Sequence, residues 1–195
     1  MNPLFDKKYW ETRYQKKETS WDAGKITMPL KAYFGQLTDK TISILIPGAG
    51  NAYEAEFLFR NGFTNVTVID IAEEPIDNFK KRVPDFPTNK LLLADFFEHN
   101  HTYDMIVEQT FFCALDMSLR GEYAQTIHRL LKAKGKLCGV LFDRDFKTNE
   151  PPFGGNKEEY RNYFEPYFEF KTFDTCYNSI GPREGKELFI NLVKK

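Results

Sequence analysis

Apolar and polar positions follow two rhythms along this chain. Short apolar runs occur at Ile42 to Ile46, Val66 to Ile71, Leu91 to Ala94, Tyr103 to Glu108 and Leu137 to Phe142. They are strand-length, bounded and mostly aliphatic, which predicts buried strands. Helix-like stretches lie between several of them. Ala52 to Asn61 is one, with Gly62 as its stop. Glu73 to Arg82 is a second, with Glu73 and Glu74 in its first turn and Pro75 near its start. Glu122 to Ala133 is a third: Tyr123, Ile127, Leu130 and Leu131 form its apolar face and Gly135 is its expected end. Lys157 to Tyr163 predicts a fourth. Phe168 to Tyr177 and Leu188 to Val193 read as strands of an antiparallel hairpin, joined through a turn holding Gly181, Pro182 and Gly185. Repeated strand–helix units predict an α/β fold, with a mostly parallel sheet covered on both faces and right-handed crossovers. Ligands in such folds sit beyond the C-terminal strand ends, where the strand order switches. Residues 1–35 do not join the alternation. They contain both tryptophans, Trp10 and Trp21, and predict a helical cap on a single domain spanning 1–195.

Charge and composition narrow the function. With 27 Lys and Arg against 28 Asp and Glu, mixed along the chain, there is no general electrostatic reason to bind nucleic acid or an anionic membrane. No apolar stretch is long enough to span a bilayer, and the opening residues have no secretory h-region. The 3 cysteines, Cys113, Cys138 and Cys176, are too dispersed for a disulfide framework or a zinc site. The expectation is a reduced, cytoplasmic monomer acting on a small molecule. Aromatic residues make up 16% of the chain, enough to furnish a pocket as well as a core.

The stretch SILIPGAGNAYEAEFL, from Ser43, carries the main chemical signal. Gly48 and Gly50 follow a strand pattern and precede a helix, which suits a ligand-binding turn. Asp70 ends the next strand, where a carboxylate can accept from both ribose hydroxyls. Tyr53 occupies the place of the third glycine of a dinucleotide fingerprint, and Glu54 and Glu56 would compete with a pyrophosphate for the helix N-terminus. The turn therefore suits a nucleoside without phosphate, such as S-adenosylmethionine. A plain tight turn with no ligand is the competing reading. Asp95 and Phe96 after the third strand could hold an adenine, one by accepting from its amine and the other by stacking; alternatively they simply end the strand. Glu108 and Gln109 end the fourth strand beside the glycine turn, facing the cleft or capping a turn. No third ligand accompanies His99 and His101, so no metal site is expected. Cys113 has no evident base partner and reads as a wall or core residue.

The stretches WETRYQKKETSWDAGK, IPGAGNAYEAEFL, VTVIDIAEEPI, ADFFE and YDMIVEQTFFCAL together resemble the thiopurine S-methyltransferase superfamily, particularly its thiol and halide methyltransferase-like members. The resemblance runs from about Tyr9 to Val193. It implies a class I methyltransferase fold, a Rossmann-like three-layer sandwich with a seven-stranded sheet ending in an antiparallel hairpin. It also implies S-adenosylmethionine as cofactor. Carried across, it suggests that Trp10, Tyr14 and Trp21 form an aromatic lid, that Gly48 lies against the cofactor, and that Asp70 holds its ribose. Asp95 and Phe96 would hold adenine, with Glu108 and Gln109 flanking the reacting centre. Tyr14 stands where many relatives have Trp and keeps the aromatic face. Gln109 stands where some halide-type relatives have Tyr, which argues against a halide.

The implied chemistry is in-line displacement at a sulfonium carbon, favoured in a dry pocket that orients the reactants. Phe111, Phe112 and Phe153 are candidates for the acceptor pocket, and the loop PPFGG, Pro151 to Gly155, for a mobile wall. Asp143 and Arg144, ending the fifth strand, are candidates to deprotonate or bind the acceptor, or form a surface ion pair. A thiol is the first choice of acceptor, before a halide or a thiopurine. Two other readings remain at this point: a nicotinamide-dependent oxidoreductase and a non-catalytic binding module.

Overall fold

The computed structural model describes residues 5–195; the first four residues of the expected cap lie outside the described residues. Seven strands form one sheet: β1 (Ile44–Pro47), β2 (Val66–Asp70), β3 (Leu91–Leu93), β4 (Tyr103–Gln109), β5 (Leu131–Phe142), β6 (Phe168–Thr175) and β7 (Glu187–Lys194). Their order is β3-β2-β1-β4-β5-β7-β6. The first five run parallel, whereas β7 inserts antiparallel between β5 and β6. The expected hairpin is therefore present, with its second strand on the inside.

Six α-helices accompany the sheet among the described residues: α1 (Lys7–Gln15), α2 (Met28–Phe34), α3 (Tyr53–Arg60), α4 (Glu73–Arg82), α5 (Arg120–Leu130) and α6 (Lys157–Phe164). Two hydrophobic cores occupy the two sheet faces. One packs Leu30 and Phe34 of α2, Leu58 of α3 and Phe79 of α4 against Ile44, Ile46 and Val68. The other packs Tyr123 and Ile127 of α5 and Phe164 of α6 against Leu45, Ile106 and Ile190. That double cover explains why every residue of β1 and β2 is buried, and why these strands read as continuous apolar runs. The helix ends follow ordinary rules. Glu73 and Glu74 open α4 while Lys80, Lys81 and Arg82 close it, matching charge to the helix dipole. The Asn156 side chain accepts from Glu159 N at 2.9 Å to start α6.

One boundary differs from the sequence expectation. The third predicted helix was to run through Ala133 to Gly135, but α5 ends at Leu130. Leu131 already pairs with Tyr103, and the next register pair is Lys136 with Met105, so the residues between loop out of the ladder. The Lys194 ammonium, on β7, donates to the carbonyls of His128 and Leu131, both at 2.7 Å. A tertiary cation thus satisfies the helix end that Gly135 was expected to cap; Lys134, with φ 60°, and Gly135 instead shape the excursion.

Candidate active site

The order of strands switches between β1 and β4, and a cleft of about 1260 Å³, open to solvent, lies at their C-terminal ends. Its floor is the turn after β1. Gly48, Gly50 and Ala52 all have positive φ, 53°, 52° and 53°. At Gly48 a Cβ would fall 2.1 Å from the Phe111 ring, so the glycine there admits an aromatic wall. Asp70, at the end of β2, staples this turn: one carboxylate oxygen accepts from Gly50 N at 2.8 Å and the other from Ala72 N at 2.9 Å. Burial raises its pKa.

Of the expected cofactor residues, Trp10, Tyr14, Trp21, Gly48, Asp70, Asp95, Phe96 and Gln109 all line this cleft. Trp21 is the hub of the aromatic group, with edge-to-face contacts to Trp10 at 5.5 Å and Tyr14 at 5.8 Å. Arg183 holds this segment from below, donating to Trp21 O at 2.6 Å. Asp95 accepts from Phe97 N at 2.9 Å, and Phe96 meets Phe111 edge-on at 5.3 Å. The Gln109 oxygen accepts from Thr27 Oγ1 at 3.0 Å.

Glu108 lies elsewhere. It is fully buried behind the cleft wall, where Oε1 accepts from Phe111 N at 2.8 Å and Phe112 N at 3.0 Å and Oε2 accepts from Tyr123 Oη at 2.5 Å. It shapes the bend that presents Phe111, and burial pushes its carboxyl up to about 7. Phe112 is likewise core, packed between Tyr123 and Phe164. Phe111 does line the cleft, whereas Phe153 sits behind it. The Phe153 amide donates to Cys113 O at 2.7 Å and its ring meets Phe5 at 5.5 Å. Asp143 and Arg144 do not line the cleft. The backbone N–H of Asp143 joins Lys186 O, and exposed Arg144 bridges Gly155 and lies over the Phe146 ring at 4.8 Å. The strand turns away at Phe142, which carries both side chains off the expected face.

Leu115 and Leu119 had no role in the sequence reading; together with Pro151 and Pro152 of the expected PPFGG loop they extend the apolar wall beyond Phe111. The proline loop is held by Arg120, a fully buried residue that donates to Phe153 O and, at 2.6 Å, Gly154 O, and pairs with Glu159 at 2.5 Å. Its position at the start of a helix gave no hint of burial. Five carboxylates line the cleft, Asp22, Glu54, Asp70, Asp95 and Asp116, against one cation, Lys25, among the described residues. Burial pushes Glu54 up to about 7 and raises the Cys113 thiol far above its ordinary range, which leaves Cys113 a poor nucleophile.

This donor set fits S-adenosylmethionine. An acidic, aromatic cleft suits a sulfonium cation, and a carboxylate at the ribose position suits a nucleoside. It does not fit a pyrophosphate: buried Glu54 and Tyr53 stand at the start of α3, where phosphate oxygens would need open N–H groups. Fold and cleft together define a class I methyltransferase. The chain belongs to the thiopurine S-methyltransferase family, which it matches over residues 5–188, and is an S-adenosylmethionine-dependent enzyme. A probable thiol methyltransferase 2 from Arabidopsis thaliana is 30% identical over 187 residues, covering 91% of this chain and 81% of the relative. Thiocyanate methyltransferase 1 from Brassica oleracea is 25% identical over 185 residues, with the same coverage. Among solved structures, the 1,6-didemethyltoxoflavin-N1-methyltransferase of Burkholderia thailandensis, bound to S-adenosylhomocysteine, superposes with a TM-score of 0.77 at 16% identity, over 97% of this chain and 87% of that one. A TehB-like methyltransferase from Corynebacterium glutamicum gives 0.69 at 17% identity, over 95% and 98%. These two similarities concern the fold.

Proposed function

We propose that this enzyme methylates a small thiol, with the cofactor laid across the glycine turn and the acceptor against the apolar wall. S-adenosylmethionine, when bound, supplies an electrophilic methyl group. Asp70 accepts from the ribose hydroxyls, Asp95 and Phe96 take the adenine, and Gly48 leaves room beside the Phe111 ring. Trp10, Tyr14 and Trp21 cap the cofactor and exclude water, acting as the expected N-terminal lid on a single domain. Excluding water helps, because a thiolate and a sulfonium lose charge as they react and bulk water would favour the separated ions. The acceptor wall is Phe111, Leu115, Leu119, Pro151 and Pro152, with Phe153 supporting it from behind.

The observation that carries the thiol reading is this wall's lack of a lysine, an arginine or a histidine among the described residues. It is suited to a soft, weakly hydrated nucleophile with an apolar body; likeness to a probable thiol methyltransferase supports the same choice. Asp143 and Arg144 have no part in this reading. The test is release of S-adenosylhomocysteine with alkyl and aryl thiols, thiocyanate, iodide and thiopurines. The expected result is turnover with thiols that rises with pH as the thiol ionises, and is the same in Arg144→Ala. Turnover confined to iodide or thiocyanate would remove the thiol assignment.

A further inference from the structure

Glu54 is unlike the other acids of the cleft. It is 5% exposed, in the first turn of α3 beside the glycine turn, and is one of the residues lining the cavity. No lysine or arginine pairs with it among the described residues. The nearby guanidinium of Arg183 is directed instead to Glu187 at 3.4 Å and to Trp21 O. The other acids are committed or placed elsewhere. Asp22 accepts from Gly24 N at 2.6 Å, from the Asn51 side-chain amide and from Tyr53 Oη. Asp70 staples the turn, Asp95 lies at the end of β3, and Asp116 belongs to the far wall.

A buried carboxylate without a countercharge carries a desolvation cost. Here the residue lines a cavity, so a cation delivered by a ligand can offset that cost. Beyond its ribose, S-adenosylmethionine brings two cationic groups, the sulfonium and the α-ammonium of its amino-acid end. The aromatic faces of Trp10, Trp21 and Phe111 serve the sulfonium, which has no proton to donate. The ammonium has three donors and needs an acceptor. Thr27 closes the same corner: its backbone N–H is turned to the Glu54 carboxylate, while its hydroxyl donates to Gln109.

We infer that Glu54 is the anchor for the α-ammonium group of the cofactor's amino-acid end. This inference rests on the reading of the cleft as the cofactor site. It makes Glu54 a determinant of which adenosine thioether binds. A thioether with the ammonium gains a charge-assisted hydrogen bond in a buried corner, and one without it leaves the carboxylate uncompensated.

Calorimetric titration tests this with three ligands: S-adenosylhomocysteine, its desamino analogue with hydrogen in place of the amine, and S-adenosylmethionine. The wild-type protein should prefer S-adenosylhomocysteine over the desamino analogue by about tenfold or more, the size of a charged hydrogen bond. Glu54→Gln should lose most of that preference, weakening S-adenosylhomocysteine and S-adenosylmethionine equally and sparing the desamino analogue. Glu54→Asp should retain part of it. If the wild type does not discriminate, the inference fails even without a folded variant. It fails too if Glu54→Gln weakens all three ligands alike, which marks a structural residue, or weakens S-adenosylmethionine alone, which marks a sulfonium contact. If the wild type binds none of the three, the cofactor site itself is misplaced, and this inference falls with it.

Discussion

Single residues in this cleft serve two masters, and Asp70 shows it best. The sequence marks it as a ribose acid because it ends the second strand. The structure shows the same carboxylate holding Gly50 N and Ala72 N. Asp70→Ala should therefore lower affinity for 5′-methylthioadenosine, which keeps the ribose but has no amino acid, by about 10- to 100-fold, and reduce the melting temperature as well. Calorimetry and thermal unfolding on one preparation check both; unchanged affinity with a lowered melting temperature would leave Asp70 as a staple only. Position in the chain was enough to bring Asp70, Asp95, Phe96 and Gln109 to the cleft, because strand ends in a parallel sheet converge on one edge. It was not enough for Glu108 and Phe112. Side chains alternate along a strand and then scatter in the bend that follows, so neighbours such as Gln109 and Glu108, or Phe111 and Phe112, part to opposite sides of the wall. Glu54 was visible as an acid at a helix start, but not as a buried one.

At the scale of elements, the segment that escaped the strand–helix rhythm contributes Trp10, Tyr14 and Trp21 to the cleft lining. Among its described residues, α1 and α2 are the α-helices; Trp21 lies in the irregular stretch between them, fixed by a guanidinium from the turn before β7. The arm meets the proline loop twice, through Phe5 on Phe153 and through Arg13 and Glu150 at 3.8 Å. Saturation with S-adenosylhomocysteine should reduce acrylamide quenching of Trp10 and Trp21 and shift their emission. A signal blind to saturating ligand would show that the arm does not close over the cofactor. The types of the central elements were legible because they are buried on both faces and leave long apolar runs. The end of α5 was not, since its cap is a lysine 64 positions beyond Leu130, on another strand.

For the molecule as a whole, burying carboxylates sets the pH dependence of folding. Glu54 and Glu108 rise from an ordinary 4.5 to about 7 on folding. Between these values the folded state binds more protons than the unfolded one, so both groups make stability fall as pH rises from about 4.5 to 7. His99 and His128 act in the opposite sense, because burial keeps their rings neutral and folding then disfavours their protonation. Asp104, held down to about 2 in the folded state, contributes stability that is lost as pH falls below its ordinary 3.8. A difference measurement isolates one group. Glu108→Gln should remove up to about 1.4 kcal/mol per pH unit of the decline between pH 4.5 and 7, read from urea unfolding at several pH values. Identical slopes in variant and wild type would mean that Glu108 is already ionised in the folded protein.

The place of β7 inside the sheet has a consequence for how the chain is made. During synthesis β5 leaves the ribosome well before β7, and β6 emerges between them without its neighbour. Until Glu187–Lys194 arrives, β5 offers an open edge from Lys136 to Phe142, β6 has no partner strand, and the carbonyls at the end of α5 wait for Lys194. From the time β5 and β6 emerge until Glu187–Lys194 follows them, the nascent chain carries this sticky, unfinished edge, and one strand then closes it by zipping both seams and capping the helix together.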